Sequence, residues 1–335
     1  MIDRLTHTVG ANTTPTVWAL LLPEAGFRSQ VLGLAEAIGG NLVEKNIDLK
    51  KPWSLFPASL CPFPLLGQDP ALDRLEPPWP NLVVACGRRS IPLALGIKKA
   101  SGGKTMAVYV QYPIGAVRFF DLVVSMRHDG LAGPNVLVVD TAIHRITREK
   151  LAAARLEWQA RFADLPRPLI SVILGGRNRS FRFTPAIADT LINQLQALIA
   201  TEGAGLLITP SRRTEPEIAA RFKTFADTNP SSVRFWNGEG DNPYFGMLAL
   251  SDALIVTEDS VSMVSEALAA GKPVATVPLA GTAKRHQAFI THLIEKGAVT
   301  RFDGTLPVKS GTVLPDDIAQ AAQTIRALLA ERSGA

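Results

Sequence analysis

Only two cysteines, Cys61 and Cys86, occur in the 335 residues. Without paired spacing they argue against a disulfide framework and against a structural zinc. There is no Asp-x-Asp, no His-x-x-x-His and no cysteine pair, so no bound metal is expected. The phosphate loop Gly-x-x-x-x-Gly-Lys-Ser/Thr is missing, which excludes a P-loop NTPase. The Gly-x-Ser-x-Gly elbow is missing too, which argues against a serine hydrolase. No apolar run approaches the length of a bilayer span. The first sixteen residues are polar, carry Asp3 and contain no signal-peptide apolar region, so a cytoplasmic location is expected. No Lys/Arg-rich helix or aromatic–basic repeat appears, so nucleic acid is not an expected partner.

What is present is an ordinary globular balance, 47% hydrophobic and 19% charged, in a chain whose length suits two domains. Lys and Arg exceed Asp and Glu by 35 to 30, with a pI near 9.3. Several arginines follow apolar runs (Arg88, Arg89, Arg177, Arg179, Arg212, Arg213), where guanidinium groups suit phosphorylated ligands. Strands at 17–22, 41–49, 81–85, 105–110, 121–125 and 136–139, most of them continuous apolar runs, alternate with helices at 29–38 and 91–100. A charged amphipathic helix at 147–164, stopped by Pro166 and Pro168, precedes a restart of the rhythm. Strands then fall at 169–174, 205–209, 232–236, 253–256 and 274–277, with helices at 185–200, 215–227, 242–250, from Ser260, and at 316–331.

Strands apolar on both faces require a parallel sheet covered by helices. The expected fold is therefore α/β, two Rossmann-like parallel-sheet domains facing a cleft. The expected bounds are 1–150, a connecting helix at 151–166, 167–312, and a C-terminal helix at 313–335 packing back across the junction. The Pro-rich stretch 51–80 carries Trp53, Phe56, Phe63 and Trp79. It reads either as a loop folded over its own domain or as a contact patch for an apolar acceptor or membrane interface.

The most informative run is Thr257-Glu258-Asp259-Ser260-Val261-Ser262-Met263-Val264-Ser265-Glu266-Ala267, between an apolar strand and Gly271-Lys272-Pro273-Val274. It delivers hydroxyls and unpaired amides to a helix N-terminus, where the dipole favours an anion. Glu266, further along that helix, is a carboxylate suited to a sugar diol. Together these describe a nucleotide-sugar pocket. Gly175-Gly176-Arg177-Asn178, Ser211-Arg212-Arg213-Thr214 and Asn237-Gly238 end three other strands at the same edge. Taken singly, these are ordinary turn residues, Asp259 or Ser260 is an N-cap, and Glu266 is as readily solvated as buried. Glu24 and His128 are candidate general bases. Alone, Glu24 is a turn carboxylate, and His128 beside Asp129 makes a loop hydrogen bond. Gly26 suits close backbone approach or a positive φ, and Arg88 and Arg89 stand at another helix start.

Gly87-Arg88-Arg89-Ser90, Gln111-Tyr112-Pro113, His128-Asp129, Gly175-Gly176, Ser211-Arg212-Arg213-Thr214, Asn242-Pro243-Tyr244 and Thr257-x-Asp259-Ser260-Val261-Ser262-Met263 together resemble the "elongated mitochondria" fission-protein family. The resemblance runs from about residue 17 to residue 302. Ser265-Glu266-Ala267 with Gly271-Lys272-Pro273-Val274 resembles the donor half of two-Rossmann-domain (GT-B) glycosyltransferases, and Gly26…Gln30…Gly33-Leu34-Ala35 their acceptor-side loop.

The resemblance implies a GT-B-like architecture with the nucleotide held by Gly175, Gly176, Arg177, Ser211, Arg212, Arg213, Asn242, Asp259, Ser260, Val261, Ser262, Ser265 and Glu266. Gly26, Arg88 and Arg89 fall on the acceptor side. The implied function is an inverting, metal-independent glycosyltransferase with a nucleotide sugar as substrate and no cofactor. A membrane lipid or envelope glycan is the candidate acceptor, reached peripherally from the inner membrane face. The alternatives are a sugar-nucleotide epimerase and a non-catalytic binding or scaffold protein at a membrane surface. Plant members are associated with recruiting a dynamin-related protein to mitochondria. One departure stands out: the common Gly-Gly before the helix is Glu258-Asp259 here. These carboxylates would repel a diphosphate unless Arg177, Arg212 or Lys272 offsets them.

Overall fold

The computed structural model describes residues 14–308 and 314–334. It divides into two compact units, Met1–Val124 with Gly133–Leu137 and Ala319–Ala335, and Ser125–Ala132 with Val138–Ile318.

The first unit runs β1 (Thr16–Leu21), α1 (Ala25–Ile38), β2 (Asn41–Asn46), β3 (Leu82–Cys86), α2 (Ser90–Ala100), β4 (Met106–Val110), β5 (Leu122–Met126) and β6 (Val136–Val139). Its sheet has the order β2-β1-β3-β4-β5-β6 and is parallel from β2 to β5. Strands β3, β4 and β5 are buried along their whole length, as their unbroken apolar runs require. Helix α1 starts before the expected residue 29. Glu24 is its extended N-cap, and its carbonyl accepts from Phe27 N and Arg28 N at 3.0 and 3.1 Å.

The second unit runs α3 (Arg148–Trp158), β7 (Leu169–Leu174), β8 (Phe181–Arg182), α4 (Pro185–Glu202), β9 (Gly205–Pro210), α5 (Pro216–Thr228), β10 (Val233–Phe235), α6 (Tyr244–Leu250), β11 (Ala253–Thr257), α7 (Val261–Ala269), β12 (Val274–Val277), β13 (Ala280–Gly281), α8 (Lys284–Glu295) and β14 (Thr300–Arg301). Helix α9 (Asp317–Gly334) follows. The sheet is parallel throughout, in the order β10-β9-β7-β11-β12-β14. Numbered in chain order within this sheet, that order is 3-2-1-4-5-6, the strand order of dinucleotide-binding folds.

Alternation along the strands sorts the core. Ile170, Val172 and Leu174 of β7 pack with Leu191, Leu195 and Phe222 on one face. Ile173 of β7 joins Leu254, Val264 and Phe289 on the other.

Residues 151–166, expected as a connection, lie in the second unit. There α3 continues into a 3-10 turn and packs on α6, where a Cβ at Gly246 would fall 2.4 Å from Trp158 Cγ. The expected bound at 312–313 lies outside the described residues. From Ala319 the chain belongs to the first unit. Arg326 there donates to the Ala37 and Ile38 carbonyls at 2.8 and 3.3 Å, satisfying acceptors at the open end of α1.

In the stretch 51–80, Trp53 donates to Pro62 O at 3.0 Å and Trp79 meets Trp18 edge-on at 6.1 Å. These two fold onto their own unit, while Phe56 and Phe63 face solvent. Among the described residues no helix is long and apolar enough to cross a membrane.

One buried titratable group gives the second unit a pH dependence. Burial lowers the His144 pKa to about 4, against an opposing pull from Asp316, and Nδ1 accepts from Ile146 N at 3.3 Å. The unfolded chain, with an ordinary imidazole near 6.5, binds the extra proton between those values, so stability falls as pH drops through that window. Urea unfolding should show a loss of about 3 kcal/mol between pH 7 and pH 4 from this group. That share of the slope should vanish in His144→Gln.

Candidate nucleotide site

The strand order of the second sheet reverses between β7 and β11. Loops flanking such a reversal leave toward opposite faces of the sheet, opening a crevice beyond the carboxyl ends of the strands. Three loops end here: Gly175-Gly176 after β7, Ser211 to Thr214 after β9, and Glu258-Asp259 after β11.

Asp259, 3% exposed, ties them together. Its Oδ1 accepts from Thr257 Oγ1 at 2.7 Å, and its Oδ2 accepts from Gly176 N at 3.2 Å and Arg213 Nη2 at 2.7 Å. Thr257 Oγ1 accepts from Gly175 N at 2.7 Å, and Asn178 Nδ2 donates to Asp259 O at 3.1 Å. Thr214 Oγ1 donates to Gly175 O at 2.6 Å, while Ser211 N donates to Leu174 O at 2.8 Å. The two glycines are needed for close approach. A Cβ at Gly175 would stand 1.8 Å from Asp259 Oδ1, and one at Gly176 1.9 Å from Arg213 O.

The two carboxylates before α7 are offset by other cations than expected. Arg213 pairs with Asp259, and Arg301 with Glu258, which also accepts from Thr276 Oγ1 at 2.8 Å. Arg212 is exposed at the turn, and against the raising effect of burial the Leu169 amide, then Arg167 and Lys272, hold the Asp252 carboxyl below its usual range. Arg301 lies outside the expected set because its two-residue strand has no apolar run of its own. Arg177 lines a cavity of about 270 Å³ with Arg182, Thr184 and Glu215.

Ser260 caps α7, its Oγ accepting from Met263 N at 3.4 Å. The N–H groups of Val261 and Ser262 have no acceptor among the described residues. Ser265 Oγ accepts from Ala142 N at 2.9 Å and donates to Val261 O at 2.8 Å, so it fastens α7 to the 141–142 segment. Glu266 is half-buried about a turn and a half into the helix. Its Oε2 accepts from Tyr244 Oη at 2.7 Å. Burial, then the Glu266 carboxylate, push the Tyr244 pKa up, so the phenol stays a donor. Asn242 Oδ1 accepts from Tyr244 N at 3.0 Å and starts α6, so Asn242 positions Tyr244 and Tyr244 positions Glu266.

His286 lies on α8, between β12 and the last helix, where the expected pattern has no element. The spacing of Phe289, Ile290 and Leu293 after Lys284-Arg285-His286-Gln287 is the helical signal that was available. His286 Nε2 is buried without a hydrogen-bond partner among the described residues. Its ring lies 5.0 Å from the Phe181 ring. Burial lowers its pKa, against the Glu258 backbone and the Asp259 and Glu258 carboxylates, while Arg213 adds to the lowering. His128 is lowered by burial and then by His286 and Arg285, with Asp129 opposing. Both rings are therefore neutral at neutral pH, and either can accept a proton. Asp129 is engaged by Arg285 at 3.4 Å and by Ser125 Oγ at 3.2 Å.

In the first unit the order reverses between β1 and β3. Glu24 accepts from Arg89 at 3.0 and 3.2 Å, and Arg89 Nε stands 2.7 Å from Asp48. Arg88 donates to Phe56 O at 3.3 Å. Gly26 lies in the first turn of α1 and has no positive φ, one of the two roles expected of it, and a Cβ there meets nothing within 4 Å. Gly26→Ala should therefore stabilise the unit by about 0.5–1 kcal/mol in chemical unfolding.

The paired sheets and the reversal-point loops define an α/β protein of GT-B-like fold. The UDP-GlcNAc 2-epimerase of Methanocaldococcus jannaschii, solved in complex with UDP-GlcNAc and UDP, superposes with a TM-score of 0.52 at 11% identity, over 94% of this chain and 99% of that one. The chain belongs to the family described as Mitochondrial fission ELM1, whose model matches residues 25–329. It is 33% identical to the mitochondrial fission protein ELM1 of Arabidopsis thaliana over 78% of this chain and 67% of that protein. It is 26% identical to an uncharacterized protein of Rickettsia prowazekii, over 87% and 91% of the two chains.

Proposed function

We propose that the second unit binds a nucleotide sugar at the β7–β11 reversal, and that the chain is a metal-independent glycosyltransferase acting on a membrane lipid or envelope glycan. The observation carrying this reading is the start of α7: the Val261 and Ser262 amides have no acceptor among the described residues, they follow the Asp259 that holds Arg213, and His286 Nε2 is buried without a hydrogen-bond partner among the described residues. A diphosphate is the group that uses helix-start amides and a guanidinium together. Glu266 then takes the ribose hydroxyls. The UDP and UDP-GlcNAc carried by the fold neighbour support a nucleotide-sugar class of ligand.

In the transfer step the acceptor oxygen forms a bond to the anomeric carbon. The bond from that carbon to the diphosphate oxygen breaks, and the nucleoside diphosphate leaves with the electron pair. His128, neutral at working pH, takes the acceptor proton. Glu24 is the alternative base, although it shares Arg89 with Asp48. Arg213 and the α7 amides stabilise the leaving charge without a metal.

The name of the Arabidopsis relative favours a second reading, a non-catalytic scaffold at a membrane surface. Thermal unfolding against a panel of nucleotides and nucleotide sugars separates the two, because a ligand of the folded state raises Tm by mass action. A rise with a nucleoside diphosphate is expected. No rise with any of the panel favours the scaffold. Interconversion of a nucleotide sugar without an acceptor identifies an epimerase.

A further inference from the structure

The first unit holds a group of apolar side chains in solvent that the nucleotide site does not use. Leu55, Phe56, Leu60, Phe63 and Leu66 are 69%, 40%, 72%, 77% and 74% exposed. They make up five of the ten large apolar residues exposed among the described residues, within twelve positions, so the clustering is not the ordinary scatter of surface apolar groups.

The segment that carries them is built. It forms three successive 3-10 turns, Trp53–Leu55, Ala58–Leu60 and Pro64–Gly67. Trp53 fills the space over Gly67, where a Cβ would fall 2.3 Å from its Cγ, and donates to Pro62 O. Beneath, Pro64 and Leu65 press on Gly96 of α2, 2.9 and 3.1 Å from where a Cβ would be. The base is therefore packed while the tips are not. Phe63 is held at φ 43°, a left-handed backbone that an aromatic residue rarely adopts, with its ring outward.

We propose that residues 55–66 dock the first unit on a bilayer containing anionic lipid, with Leu55, Phe56, Leu60, Phe63 and Leu66 entering the boundary between headgroups and acyl chains. Charge selects this occupant. From Lys50 to Gln68 there is no Asp or Glu, Lys51 is exposed at the entry, and Arg88 places its guanidinium against the Phe56 carbonyl. Apolar tips flanked by the cations Lys51 and Arg88, with no carboxylate in the segment, match an anionic headgroup layer. A second copy of the chain would set Lys51 and Arg88 against their own equivalents.

The test uses the full chain and cosedimentation with phosphatidylcholine vesicles, with and without phosphatidylglycerol. The native chain should pellet with the phosphatidylglycerol vesicles. Leu60→Asp and Phe63→Asp should each lower partitioning about tenfold or more. Lys51→Glu should weaken binding to the anionic vesicles only, an effect that disappears at high salt. Leu156→Asp, which removes an equally exposed leucine from α3, should change nothing. Phe63→Trp gives a second readout, since its emission should shift to the blue and be quenched by brominated acyl chains. No pelleting of the native chain overturns the proposal, as does pelleting unaffected by Leu60→Asp and Phe63→Asp. So does a dimer that Leu60→Asp disperses, which would make a second copy the occupant.

Discussion

Gly176→Ala should destabilise the second unit by about 3 kcal/mol, the upper end of overpacking costs, and lower its Tm by about 10 °C. The reason is geometric. The added methyl group would fall 1.9 Å from Arg213 O, 2.3 Å from Arg213 C and 2.5 Å from Thr214 N, and backbone on that side cannot swing away. Moving the Ser211–Thr214 turn would break the Arg177 N to Arg213 O bond of 3.0 Å and pull Thr214 Oγ1 from Gly175 O. Gly26→Ala is the matched control, since the same change in open space raises stability. Calorimetric scans of the two variants decide the point. Equal, small shifts would show that the β7 and β9 loops are not locked together.

Asp259→Ala should cost about 3 kcal/mol, and Arg213→Ala only about 1 kcal/mol, although the two residues form one ion pair. Asp259 is buried and accepts from Thr257 Oγ1 and Gly176 N as well as from Arg213, so its removal leaves interior donors without acceptors. The Arg213 side chain is 43% exposed, so its guanidinium regains water and the salt bridge is screened. Asp259→Asn should fall between the two. It keeps an acceptor for one donor and places an amide against the other. The order Ala at 259, then Asn at 259, then Ala at 213, measured by urea unfolding, distinguishes a structural tie from a simple ion pair. If Arg213→Ala costs as much as Asp259→Ala, the ion pair carries the loop.

Most of the scaffold was legible because buried parallel strands leave unbroken apolar runs. Residues 169–174 and 274–277 coincide with β7 and β12 to the residue, since only the small hydroxyls Ser171 and Thr276 interrupt their apolar runs. Strand β14 is too short to leave an apolar run, and helix α8 opens on the polar residues Lys284 to Gln287, so its signal from Phe289, Ile290 and Leu293 comes late and is easily missed. The site divides along the same line. Gly175, Gly176, Arg213 and Asp259 announce themselves as turn chemistry after strands, and the structure joins them through one carboxylate. Arg301, which pairs with Glu258, and His286 come from β14 and α8, the elements with the weakest signal. A pairing between residues 43 positions apart, Glu258 with Arg301, depends on which strands lie side by side, and no local pattern encodes that. Glu266 was visible as a helical carboxylate, whereas its tie to Tyr244 requires knowing how α6 and α7 meet.

The central claim is that the carboxyl ends of β7 and β11 hold a nucleoside diphosphate with its ribose on Glu266. Isothermal titration of UDP into the native chain and into Glu266→Ala tests it most directly, with the folded state of each confirmed by circular dichroism. The account predicts one-to-one binding to the native chain and a loss of about 1–3 kcal/mol in the variant. Equal affinity for both proteins, or no heat from either, would contradict it.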